Sequence, residues 1–113
     1  MQSLFMDETV FLKHILLAIE DIEKFVSNCS QEDFLRNDEK QAAVERRLEI
    51  IGEAVKNIPE EYKNKNSAIP WRIIASMRDN LIHEYFGIDA EIVWKTTQED
   101  IPLLKNQIQK MLS

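Results

Sequence analysis

The sequence predicts an all-α fold, an antiparallel bundle of four to five helices in a single domain spanning residues 1–113. Three observations support this. The 113-residue chain has 2 glycines and 3 prolines, too few turn-forming residues for many short strands. It is 44% hydrophobic and 30% charged, a composition typical of a soluble globular domain. Its apolar residues recur three and four positions apart over long segments, which is the spacing of amphipathic helices.

The first predicted helix begins with acidic residues at Asp7, which suit the positive end of the helix dipole, and runs to about Asn28. Its apolar face consists of Phe11, Ile15, Ala18, Ile19, Ile22, Phe25 and Val26. Residues 30–33 resemble a capping box with aspartate in place of glutamate, so a short helix through Phe34 and Leu35 should follow.

The next predicted helix covers residues 39–58, with Val44, Leu48, Ile51, Val55 and Ile58 on its inner face. Gly52 interrupts it at a cost of ~1 kcal/mol relative to alanine. A glycine inside a helix often allows another backbone to approach closely. Pro59 ends the helix. Residues 59–69 are polar, with one helical turn expected around residues 60–65.

A further helix is predicted to begin at residues 69–71 (IPW), because proline suits the first helical position. Its inner face would consist of Ile73, Ile74, Met77, Leu81 and Ile82, and Gly87 would end it. Asp89 is the predicted N-cap of a helix through Ile92, Val93, Trp94 and Thr97. Pro102 either kinks that helix or begins a last one. An apolar face then continues through Leu104, Ile108, Met111 and Leu112.

The net charge of -6 argues against general nucleic-acid binding, since phosphate repels an acidic surface. The charge is uneven, however. Residues 56–78 contain five basic and two acidic side chains, a local net charge of +3; the basic ones are Lys56, Lys63, Lys65, Arg72 and Arg78. This segment is either a basic path on an acidic protein or an ordinary solvated loop.

Cys29 is the one cysteine, so we expect no intrachain disulfide and no cysteine-rich zinc site, which fits the reducing cytoplasm. The sequence also lacks a recognisable leader and an apolar run of membrane-spanning length. We therefore expect a cytoplasmic protein with no membrane association, no metal and no cofactor.

The polar run at residues 77–87 concentrates groups able to do chemistry. Arg78 offers a planar fork that matches phosphate. Asp79, four residues before His83, could fix the tautomer of its imidazole and favour its charged form. An arginine and a histidine suffice in principle to cleave RNA without a metal, with the ribose 2′-hydroxyl as nucleophile. Asn80 would be a supporting polar residue.

Helical geometry restricts this site. Arg78 and Tyr85 are seven residues apart and share a face, whereas Arg78 and His83 are separated by roughly 140° around the helix. Either the helix loosens near Gly87, or a second copy of the chain brings its own residues to the same cleft, which predicts a twofold dimer. The ordinary alternatives are a surface ion pair between Asp79 and His83, an Arg78 that pairs with acidic residues elsewhere, and a half-buried Tyr85.

Residues 78–85 (RDNLIHEY) resemble the R-x-x-x-x-H-x-Y motif of HepT-like toxins in the HEPN superfamily. Residues 48–54 (LEIIGEA), 69–71 (IPW) and 85–89 (YFGID) also resemble blocks of that family, in the same order along the chain. Asp79 departs from the family pattern, which often has asparagine there. This leaves open whether Asp79 orients His83 or repels RNA.

The resemblance implies an all-α dimer that acts as a metal-independent endoribonuclease, the toxin of a type VII-like toxin–antitoxin pair. It further implies Arg78 and His83 as the catalytic pair. The implied partner is a minimal nucleotidyltransferase antitoxin, which neutralises the toxin by transferring AMP to Tyr85. Two other interpretations remain open: a non-catalytic helical subunit that binds the nucleotidyltransferase, and a purely structural dimer.

Overall fold

The computed structural model describes residues 8–69, 71, 74–75 and 90–113. Every regular element in these residues is helical, so the all-α prediction is confirmed; the twofold dimer stays a prediction. The elements are α1 (Glu8–Val26), α2 (Gln31–Leu35), α3 (Asp38–Lys56), α4 (Glu60–Lys65), α5 (Ala90–Lys95), a π-helix (Thr96–Asp100) and α6 (Ile101–Leu112). Trp71, Ile74 and Ala75 are also helical.

The first helix ends slightly before the position that the sequence predicts. α1 stops at Val26 because Asn28 adopts a φ of 56°, in the left-handed region where a helix cannot continue. Asparagine tolerates this region better than most residues, so it serves here as the residue after the C-cap. The N–H of Cys29 then donates to the Val26 carbonyl at 3.2 Å.

Side-chain caps start the next two helices. The Ser30 hydroxyl accepts a hydrogen bond from the Asp33 N–H at 3.1 Å, which confirms the predicted cap of α2. The Asn37 side-chain oxygen accepts from the Lys40 N–H at 2.9 Å and caps α3 in the same way. Each of these bonds satisfies a helix N–H that has no partner within the helix.

α3 contributes a large part of the core. All five apolar residues predicted for its inner side are buried, with relative exposures of 2% or less: Val44, Leu48, Ile51, Val55 and Ile58. Gly52 is buried as well. α3 ends at Lys56, two positions before the predicted end, and Ile58 enters the core from the turn that follows.

The C-terminal third remains helical through a change of pitch. The N–H of Ile101 donates to the Thr96 carbonyl, a bond that spans five residues and defines a π turn. Pro102 has no N–H and its ring would clash with the carbonyl four residues earlier, which disfavours a regular α-helical turn at this point. α6 begins at Ile101 but follows the π-helix without an intervening turn, so Pro102 marks a disturbance within a continuing helix as well as the start of its last α-helical part.

α1 packs against both α3 and α6. Its most buried residues include Leu12, which the predicted apolar face omits, and Ile19. Phe34 in α2 is fully buried, and the centre of its ring lies 5.4 Å from the centre of the Trp94 ring in α5. Within the described residues, no helix combines the length and apolarity needed to cross a bilayer.

Candidate functional site

The five predicted site residues, Arg78, Asp79, Asn80, His83 and Tyr85, lie outside the described residues. Their roles therefore stay predictions, and so do the expected helix end at Gly87 and the expected N-cap at Asp89. The structure does describe residues that flank positions 76–89 on both sides.

The segment is preceded by residues that belong to the hydrophobic core. Ile69, Trp71 and Ile74 have exposures of 3%, 8% and 2%. The indole N–H of Trp71 donates to the Asn66 carbonyl at 3.0 Å, and the backbone N–H of Trp71 donates to the Ile69 carbonyl at 2.8 Å. The start of the predicted motif helix is thus fixed both by burial and by polar contacts.

The chain returns to the core soon after the segment. Val93 in α5 is 3% exposed, and Trp94 is packed against Phe34. In the π-helix, the hydroxyl of buried Thr97 donates to the Trp94 carbonyl at 2.7 Å. The described residues that flank positions 76–89 on both sides therefore belong to a packed helical frame.

The positive charge of the basic segment at residues 56–78 is less available in the structure than the sequence indicates. The ammonium group of Lys63 lies 3.6 Å from a carboxylate oxygen of Glu60, and its side chain is largely buried. Lys56 and Lys65 are exposed. The predicted basic path would depend on these two lysines and on residues outside the described part, so both interpretations of this segment remain open.

Two further ion pairs connect helices rather than forming a site. Arg47 in α3 donates to Asp21 in α1 at 2.8 Å, with its guanidinium 5.5 Å from the centre of the Phe25 ring. Lys105 in α6 donates to both carboxylate oxygens of Glu23 in α1, at 2.9 and 3.0 Å. These charges are neutralised within the bundle, so they offer little attraction to RNA phosphate.

An open cleft of about 570 Å³ lies between the α1–α2 turn and the start of α3. Arg36 and Lys40 line it together with the carboxylates of Asp33, Asp38 and Glu39. Three anionic groups facing two cationic ones give no net attraction for phosphate. The charges of this cleft therefore do not indicate an RNA site.

Burial raises the pKa of Glu45 above its ordinary value of 4.5, and repulsion from Glu49 raises it further. A raised carboxyl pKa can indicate a catalytic acid. Both causes, however, lie within the helical frame: Glu45 is partly buried in the bundle, and Glu49 follows it by one turn on the same helix, α3. We therefore attribute its raised pKa to helix packing.

Residues 15–111 match the protein-family model described as "Ribonuclease HepT-like". The chain belongs to this family. The matched span begins within α1, ends within α6 and includes residues 76–89. Family membership confirms the resemblance to HepT-like ribonucleases that the sequence blocks indicate.

Individual relatives agree with the HepT-like assignment. A Thermococcus cleftensis protein named "Probable ribonuclease HepT" is 52% identical over 101 residues, covering 89% of this chain and 92% of that protein. A "Putative RNase" of Caldanaerobacter subterraneus subsp. tengcongensis is 47% identical over 102 residues, 90% and 91% of the two chains. No solved structure matches this HepT-like chain.

A third relative is longer. It comes from Methanocaldococcus jannaschii and is 45% identical over 106 residues, which are 94% of this chain but 48% of that protein. Its name combines a gamma-glutamylcyclotransferase with a "putative RNase". The HepT-like chain thus corresponds to about half of that protein.

One feature of the frame could not be predicted from the pattern of residues. The sequence indicates Trp71 as part of a helix start, but not that its indole N–H bonds to the end of α4. The sequence did contain one sign that the Trp71 N–H would have a partner. Trp71 directly follows the proline of the predicted helix start, and a buried tryptophan usually finds an acceptor for its N–H.

Proposed function

We propose that this HepT-like ribonuclease is the toxin of a type VII-like toxin–antitoxin pair and cleaves RNA with Arg78 and His83. The observation that carries the proposal is the family match over residues 15–111, together with the R-x-x-x-x-H-x-Y pattern at residues 78–85 inside it. The names of two relatives as ribonucleases support the reaction class.

The proposed reaction requires no metal. His83 removes the proton from a ribose 2′-hydroxyl, whose oxygen forms a bond to the adjacent phosphorus. The bond from phosphorus to the 5′-oxygen breaks, and that oxygen receives the proton that His83 took up, which returns the imidazole to its neutral form. The products are a 2′,3′-cyclic phosphate and a 5′-hydroxyl. Arg78 stabilises the charge that develops on the phosphate oxygens. Because the nucleophile is the 2′-hydroxyl, the substrate is RNA and not DNA.

Asp79 and Asn80 have supporting roles in this scheme. Asp79, one helical turn from His83, orients the imidazole and raises its basicity. Because Arg78 and His83 point in different directions on one ideal helix, the proposal places the site between two subunits of a homodimer.

Tyr85 is the proposed point of control. A minimal nucleotidyltransferase antitoxin transfers AMP from ATP to its hydroxyl. Since Arg78 and Tyr85 share a helix face, the added phosphate lies near Arg78 and competes with RNA phosphate for it. The nucleotide also fills the cleft sterically.

Nuclease activity is tested by incubating the purified protein with RNA in EDTA. We expect the wild type to cut and an Arg78→Ala/His83→Ala double variant to lose at least about a hundredfold in rate. Arg36→Ala is the control, because Arg36 is highly exposed and, among the residues that the structure describes, forms an ion pair with Glu32 at 3.8 Å. It should cut like the wild type. Equal cutting by wild type and double variant contradicts the proposal.

Regulation is tested with ATP and a nucleotidyltransferase encoded next to this chain. We expect a mass increase of about 329 Da, one AMP, on Tyr85 and loss of RNA cleavage. Tyr85→Phe should gain no mass and should stay active in the presence of the partner. Modification at another residue, or full cleavage by the modified protein, would refute this mode of control.

The acidic net charge of -6 favours one competing function, a non-catalytic helical subunit that binds the nucleotidyltransferase. Expression of the chain alone separates the two. A toxin arrests growth, and co-expression of the partner relieves the arrest. A binding subunit forms the complex without any arrest, and its Arg78→Ala/His83→Ala variant behaves identically.

A further inference from the structure

The end of α4 is joined to the start of the predicted motif helix by side-chain hydrogen bonds. The Trp71 indole N–H donates to the Asn66 carbonyl at 3.0 Å. The Asn66 side-chain amide in turn donates to the Tyr62 carbonyl at 2.9 Å. The Ile69 N–H also donates to the Asn66 carbonyl, at 3.2 Å. We name this set of four residues the α4 clamp.

Trp71 is the member of the clamp that links it to the core. Its exposure is 8%, and it packs within the same hydrophobic cluster as Ile74. Asn66 is the C-cap residue of α4, and carbonyls at a helix end have no partner inside the helix. Besides the Ile69 N–H, Trp71 therefore supplies a second donor to this carbonyl, and its indole links the end of α4 to the core.

α4 depends on such contacts for its place. It has six residues, no side-chain bond at its N-cap and no fully buried residue. A helix this short is unstable alone in water, and tertiary contacts must hold it. The clamp thus joins α4, a short helix with no fully buried residue, to Ile69 and Trp71, which belong to the core.

We propose that Trp71 is a positioning residue for RNA cleavage, acting through the clamp; this inference rests on the proposed function. By sequence, Arg78 follows Trp71 by seven residues, about 10 Å along a helix and on the same face. A tilt of about 10° at the helix start would move the Arg78 position by roughly 2 Å. Misplacement by ~1 Å can reduce a rate a hundredfold.

The test compares Trp71→Phe with Trp94→Phe. Both variants exchange a tryptophan for phenylalanine, but only the first removes a donor from the clamp, while the second keeps an aromatic ring beside Phe34. We expect Trp71→Phe to lower kcat on RNA at least about tenfold with KM unchanged. Amide hydrogen exchange in residues 66–75 should become at least about fivefold faster. Trp94→Phe should change neither quantity.

The outcomes separate the inference from the proposed function. If Trp71→Phe matches Trp94→Phe in kcat, or raises KM alone, Trp71 is structural and the inference is wrong. If exchange in residues 66–75 is unchanged, the clamp does not hold the helix start, whatever the activity. If the wild type cuts no better than the Arg78→Ala/His83→Ala variant, the proposed function fails, and the exchange measurement alone decides whether Trp71 fixes the helix.

Discussion

Three residues determine where α1 ends and where α2 and α3 begin: Asn28, Ser30 and Asn37. Asn28 stops α1 through its φ of 56°, and the other two cap α2 and α3 through side-chain oxygens. The cap at Ser30 was predictable because its spacing to Asp33 is that of a capping box. The positive φ of Asn28 was not, since the sequence lacks a glycine there and asparagine also occurs within helices.

Replacement of Asn37 by alanine should destabilise the protein by about 1 kcal/mol. The variant loses the acceptor for the Lys40 N–H at the start of a 19-residue helix that supplies much of the core. Urea unfolding measures the effect. Asn37→Ser is the matched control, because a serine hydroxyl can accept the same bond, and it should stay within a few tenths of a kcal/mol of the wild type. Equal losses for both variants would contradict the role of the cap.

Glu45 gives a pH-dependent prediction. Its pKa is raised by burial and by Glu49, so the folded protein binds this proton more tightly than the unfolded chain. The resulting stabilisation is complete below about pH 4.5 and is lost as pH rises through the raised pKa. Glu45→Gln should therefore be more stable than the wild type at pH 7, by less than about 1 kcal/mol because solvent screens a partly exposed group.

The gain from Glu45→Gln should disappear at pH 4, where the wild-type carboxyl is protonated in the folded protein. Urea midpoints at the two pH values measure it. Glu39→Gln is the control: Glu39 lies in the first turn of α3, where a negative charge favours the helix dipole, so this variant should gain nothing at pH 7. A gain for Glu45→Gln that persists at pH 4 would refute the electrostatic explanation.

At the scale of elements, the helices of the described residues were predictable because a helix is a local structure with its own period. The apolar face of α3 matches the buried residues at every predicted position. The π-helix was not predictable in the same way: Pro102 indicated a disturbance, but the pitch depends on how α6 packs against α1. The candidate site followed from the concentration of polar groups at residues 77–87 and from the motif at residues 78–85, and the helical period restricted how Arg78 and His83 could meet.

The sequence also does not predict which residues of neighbouring helices lie opposite each other. The pair of Asp21 and Arg47 is an example. The two residues are 26 positions apart, yet they meet at 2.8 Å with both side chains about one-third exposed. A double-mutant cycle with Asp21→Ala and Arg47→Ala should give a coupling of about 0.5–1 kcal/mol, smaller in high salt.

The matched cycle uses Glu32 and Arg36, which lie 3.8 Å apart with side-chain exposures of 74% and 77%. Its coupling should be near zero, because water screens an exposed pair and ordering two long side chains opposes it. If the two cycles give equal couplings, contact between α1 and α3 adds nothing to the ion pair of Asp21 and Arg47.

At the scale of the whole molecule, α1 contacts both α3 and α6, and ion pairs reinforce both contacts. The residues on either side of segment 76–89 are packed into this frame. On the helix predicted for residues 76–89, Arg78 and His83 would point in different directions, roughly 140° apart. In the proposed function, a site built from two subunits allows Arg78 of one chain and His83 of the other to reach the same phosphate.

Mixing two inactive variants tests the shared site. In a heterodimer of Arg78→Ala and His83→Ala chains, one cleft combines the intact His83 of the first chain with the intact Arg78 of the second, while the other cleft has neither. Random exchange makes half of the dimers mixed, so activity should return to roughly a quarter of the wild-type rate. The rate of RNA cleavage before and after subunit exchange measures this. A site within one subunit would stay inactive in the mixture, because every chain would lack one of its two catalytic groups.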